Sequence, residues 1–94
     1  MSEFWRKDWK QRLQRRRTKL LQQLDVSLLF QYLISARPKD EALYLIWRDV
    51  KDISNRKQAI ALLDELLLMR NADFFHVFLR ALGKIGQDHI VELL

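Results

Sequence analysis

Residues 54–94 read SNRKQAIALLDELLLMRNADFFHVFLRALGKIGQDHIVELL. Apolar residues recur here at spacings of three and four, the mark of helices with one buried face. The pattern is interrupted at Asn71 and at Gly86, so the stretch divides into two full helices and a short third. It holds more than half of the chain's aliphatic side chains, and the preceding residues are read as material folded around it.

Ser54 or Asn55 starts the first of these helices, which reaches about Arg70. Ala59, Leu62, Leu63, Leu66 and Met69 form its main stripe, widened by Ile60 and Leu67. Arg56 and Lys57 fall in its first turn, where the helix dipole disfavours cations. Asn71 is expected to end the helix in the left-handed conformation, as a glycine would. The next helix carries Phe74, Phe75, Phe78, Leu82 and Ile85 and stops at Gly86. A short last helix, DHIVELL, breaks off at the final residue, which reads as an excised domain or as a chain whose remaining parts are missing.

Working outward, Ser2 caps a first helix expected over Glu3 to Leu24. Its stripe is Trp5, Trp9, Leu13, Leu20 and Leu24, with the Arg17 stem at the core edge and its guanidinium reaching out. Both tryptophans are read as core rather than as a contact patch. Asp25 or Ser27 caps a second helix whose apolar face is Leu28, Leu29, Tyr32, Leu33 and Ala36. Arg37-Pro38 ends it, because the residue before a proline is pushed out of the helical region. Asp40 caps a third helix, DEALYLIWRDV, buried through Leu43, Ile46, Trp47 and Val50, with Glu41, Arg48, Asp49 and Asp52 facing water. Six helices in one domain, residues 1–94, define an all-α antiparallel bundle.

Composition agrees. Ninety-four residues bury one modest core, roughly two thirds of the surface exposed on unfolding. Two glycines and one proline favour long helices over hairpins. The absence of Cys excludes a disulfide scaffold and a thiolate metal site or nucleophile. The first ten residues, MSEFWRKDWK, are charged and do not form a signal peptide, and no run approaches membrane-spanning length. A cytoplasmic location is expected.

The net charge of +5 is unevenly placed. Residues 1–24 hold eight basic against two acidic side chains, whereas the remaining seventy hold nine against ten. Such a basic end suits an acidic partner. Catalytic chemistry is hard to find. His76 and His89 stand on separate helices as ordinary surface or boundary residues, there is no HExxH or Gly-rich phosphate loop, and Asp64 and Glu65 diverge by about 100° on their helix. The expectation is a binding domain with no catalytic residues, no metal and no cofactor.

Two sets of residues add a resemblance. Leu13, Arg17, Leu20 and Leu24 give L-x3-R-x2-L-x3-L. LLDELLLMRNADFFHVFLRALGKIGQDHIVELL adds a Leu-Leu-Asp helix, a basic residue before a turn, the aromatics Phe75 and Phe78, Ala81-Leu82, and Gly86-Gln87-Asp88 before an apolar end. Over Arg12 to Leu94 the chain resembles a caspase recruitment domain of the death-fold superfamily. It is most similar to the prodomains of apoptotic initiator caspases, which share an R-x-R motif in the first helix, an Arg opening the fourth and a GQD near the end. Adaptors and oligomerisation platforms carry the same domain.

The resemblance implies a death-fold, Greek-key topology and a homotypic protein interaction in apoptosis or innate immunity. Basic residues on helices one and four of one domain would dock on acidic residues of helices two and three of another, and repetition builds helical assemblies. By position Arg17 and Arg56 match the basic docking residues, with Arg15, Arg16 and Lys57 in support. Asp40, Glu41, Asp49 and Asp52 form the complementary acidic set. The implied partner is another caspase recruitment domain, in a caspase, adaptor or platform, or a second copy of this chain. The chain departs from the family at three places: Ile60 replaces a second basic residue, Asn71 a glycine, and the stretch Pro38-Lys39-Asp40 an apolar anchor and Thr.

Two other readings attach to the basic N-terminal helix. Arg12 to Lys19 can neutralise phosphates of a nucleic acid, but no aromatic–basic interleaving accompanies it. Alternatively, the helix lies on an anionic membrane with Trp5 and Trp9 as anchors, which competes with their use in the core.

Overall fold

The computed structural model describes the backbone of residues 2–94 and the side chains from Asp8 onward. Seven helical segments and no strand occur among the described residues: α1 (Ser2–Arg15), α2 (Arg17–Gln23), α3 (Val26–Ala36), α4 (Glu41–Val50), α5 (Asn55–Met69), α6 (Ala72–Lys84) and α7 (Asp88–Leu93). They pack into a compact all-helical body with a radius of gyration of 12.4 Å.

The expected first helix is two. At Arg16 the backbone turns to φ −101°, ψ 9°, and α2 starts afresh at Arg17. No proline or glycine marks the break. Instead, Arg12 Nη1 and Arg16 Nε donate to the carbonyl oxygens of Leu94 and Leu93 at 2.6 and 3.1 Å, tying this corner to the end of α7. Beyond the corner Leu20, Leu21 and Leu24 are all buried, while Trp9 and Leu13 are buried from α1. The Trp5 side chain lies outside the described residues.

The starts of α3, α4 and α5 follow the expected capping chemistry. Asp25, Asp40 and Ser54 accept from the backbone N–H of Leu28, Leu43 and Lys57, each satisfying a donor that a helix start leaves open. Asn71 does the same for Phe74 at 3.1 Å and sits at φ −109°. It therefore opens α6 rather than closing α5 in the left-handed region. The positive-φ stop belongs to Gly86, at φ 84°. There Gly86 N donates to Gly83 O and Gln87 N to Leu82 O, which closes α6 in a Schellman motif.

α5 contributes Ala59, Leu62, Leu63 and Leu66 to the centre of the core, and α6 contributes Phe74, Phe75, Phe78, Ala81 and Leu82. Trp9 stacks on Phe75 and Trp47 on Phe30, with ring centroids 5.0 and 5.1 Å apart. Three expected core positions lie elsewhere, Met69 at 73% exposed and Leu28 and Ala36 also exposed, whereas Ile85, like Ile46 and Trp47, is half-buried against the core. Phe30 and Val26 are fully buried in their stead on α3.

Three amide side chains join the elements. Asn55 accepts from Val26 N and donates to Leu24 O, and Gln87 accepts from Asp25 N and donates to Gln23 O, so both hold the α2–α3 junction. Gln58, the one buried polar residue among those described, donates to the carbonyls of Val50 and Lys51 at the end of α4. Each meets backbone groups that helix ends leave without partners.

Candidate functional site

The basic residues that the resemblance implies lie on two packed stretches of the bundle. Arg17 opens α2, whose apolar side rests on α5, and its Nη1 stands 3.6 Å from Asp64 Oδ1 of α5. Lys57 is seven residues before Asp64 on that helix, about 20° away in helical projection and about 10 Å along the axis, so it faces the same side. Arg56 and Lys57 are exposed in the first turn of α5, which contains no acidic residue. Two cations at the positive end of a helix dipole each cost a few tenths of a kcal/mol or more. Arg15 is exposed at the end of α1, and Arg16, also exposed, directs its Nε to Leu93 O. Ile60 is half-buried one turn beyond Arg56, so this side of α5 is apolar where a further cation was expected.

The acidic residues divide. Glu41, Asp49 and Asp52 are exposed on α4 and the turn after it, with Asp49 loosely paired to Arg48 at 3.8 Å. Asp40 is different. Its Oδ1 accepts from Leu43 N and from Arg70 Nη2, and its Oδ2 from Arg70 Nη1, the last two at 2.9 and 2.5 Å. Arg70 Nε donates in turn to Glu65 at 2.6 Å, and its guanidinium lies 4.5 Å over the Phe74 ring. All three charged side chains of this clasp are only 12–13% exposed.

The electrostatics follow from that geometry. The hydrogen bonds from Arg70 hold the Asp40 carboxyl below the ordinary carboxylate value, against the opposing effect of burial. The same bonds push Arg70 above its ordinary value. Asp40 therefore joins α4 to the end of α5 from inside the molecule, and Glu41, Asp49 and Asp52 are the acids left facing outward. Arg70 was passed over in the sequence because its partner Asp40 lies thirty residues away.

Among the described residues no three His, Asp or Glu side chains converge to hold a metal. No helix among them is long and apolar enough to cross a membrane. A scan against protein-family models finds no match, and neither does a comparison with curated proteins or with solved structures.

Proposed function

We propose that this chain is a homotypic protein-interaction module of the caspase-recruitment type, with a death-fold arrangement of its helices. In this reading α1 and α2 correspond to the family's first helix, and α3 to α7 to its second to sixth. The observation that supports it is the group of unpaired cations on α1 and α5, with unpaired acids on and after α4 interspersed with Lys51. Arg15, Arg56 and Lys57 are exposed without an ion pair among the described residues, on helices that pack with α2, and Glu41 and Asp52 are exposed without one on and after α4. Two such faces on one small body are complementary between copies and between related domains. Arg17 contributes at the edge of the basic face despite its contact with Asp64, which is long and half-exposed and so worth at most about 1 kcal/mol. The module brings an effector, a caspase or a kinase, together with its activator.

Individual ion pairs at such a surface are weak, so binding depends on several acting together and on clustering of copies. Arg17→Glu/Arg56→Glu is expected to abolish capture of recruitment-domain proteins from cell lysate at moderate salt, with circular dichroism unchanged. Both side chains are outside the core, so the fold survives the change. Capture of the same proteins by wild type and variant would reject the proposed face. Loss of the bound material on nuclease treatment would instead favour nucleic acid as the partner of the basic helices.

A further inference from the structure

A second charged surface lies away from the α2–α5 face. Where α3 ends and the chain turns into α4, a solvent-open groove of about 670 Å³ runs against α6. Its lining includes the apolar groups of Tyr32, Pro38 and Val77 and the cations Arg37, Lys39 and Arg80. Asp40 also borders it, but its charge is taken up by the bidentate contact with Arg70. Lys39 and Arg80 are exposed and enter no ion pair among the described residues. Arg37 is held in place by Asp40 at 3.5 Å and by the Phe74 ring at 5.3 Å. Arg37 and Arg70 together balance Asp40 and Glu65, so Lys39 and Arg80 are the lining cations left with free charge beside the apolar groups.

We infer that this groove binds an acidic peptide segment with an apolar side chain at its centre. The groove is open to solvent, and its volume is more than a single phosphate fills. Lys39 and Arg80 come from different elements, the α3–α4 turn and α6, which suits carboxylates spaced along a chain. Tyr32, Pro38 and Val77 give the central side chain an apolar bed, so recognition combines charge with burial. The α3–α4 turn is rigid enough for this, because Asp40 is anchored at both ends by Leu43 N and Arg70.

The test uses the whole 94-residue chain and a fluorescein-labelled nonapeptide of Asp and Glu around a central Leu. Anisotropy reports affinity and amide chemical shifts report location. Binding is expected to move the amides of residues 36–40 and 77–80, and Lys39→Glu/Arg80→Glu is expected to weaken it about tenfold or more. Lys39→Ala/Arg80→Ala is the milder check, with an intermediate loss. Arg17→Glu/Arg56→Glu should bind the peptide as wild type does, so this groove stands or falls separately from the interaction face proposed above. Shifts confined to α2 and α5, or equal affinity for the peptide's Asn/Gln counterpart, would overturn the inference. So would displacement by an oligonucleotide of equal charge at the same concentration, which would make the groove a general polyanion site.

Discussion

Arg70 illustrates how one side chain links distant parts of this sequence. Its planar fork matches the Asp40 carboxylate, its remaining N–H reaches Glu65, and its face covers Phe74. Removing it leaves Glu65 without this cation and Asp40 with only the longer contact to Arg37 at 3.5 Å, and Arg70→Met is expected to cost about 2–3 kcal/mol in urea unfolding at neutral pH. The pH dependence has a definite sign. Asp40 is lowered in the folded state, so its contribution is fully present above the ordinary carboxylate value, about pH 4, and is lost as pH falls through the lower folded value. The gap between wild type and Arg70→Met should therefore narrow below about pH 4. A gap unchanged down to pH 3 would mean that the pairing is not its source. Nothing in the sequence near Asp40 announces this use: as an Asp after Pro-Lys it reads correctly as a cap, and equally well as a surface acid.

Helix starts were legible because capping is local, three residues from side chain to N–H, and Asp25, Asp40 and Ser54 all perform it. Ends and continuations were harder. Asn favours both cap positions, and only the observed φ of −109° shows that Asn71 belongs to the helix after it. Met69 follows the apolar period of α5 faithfully, but α5 outruns the core there, and periodicity carries no information about where the neighbouring helices stop. The break at Arg16 depends on α7, more than seventy residues on. Substitutions separate the two cap readings. Asn71→Ala should lose about 1 kcal/mol and Asn71→Gly a few tenths, whereas Gly86→Ala should lose about 1–2 kcal/mol from its left-handed backbone alone, since no atom lies within 4 Å of an added Cβ. A gain in stability for Asn71→Gly would restore the left-handed assignment.

For the molecule as a whole, the buried side chains form a single connected cluster that includes residues from all seven helices except α1's undescribed start. The two stacked tryptophans sit in different parts of it, Trp9 between α1 and α6 and Trp47 between α4 and α3. One cooperative transition is expected. Tryptophan emission of the Trp47→Phe variant, which then reports only the N-terminal helix, should change at the same urea concentration as its circular dichroism. An earlier fluorescence midpoint would show α1 unfolding as a separate unit. The all-helical class could be read from periodicity and composition, because both are properties of each segment alone. The partition of charge into an outward basic face, an internal clasp and a cationic groove could not, because it depends on which helices end up adjacent.

The amides of Asn55 and Gln87 give the bundle an order of completion during synthesis. Residues 23–26 turn a corner whose backbone groups are satisfied by side chains 29 and more than 60 residues later in the chain. A nascent polypeptide emerging from the ribosome can form α2 and α3 early, yet their junction is half-fastened when Asn55 appears and fully fastened only after Gln87 does. Translation proceeds at about 5–20 residues per second, so seconds pass between synthesis of the corner and synthesis of the Gln87 amide that completes it.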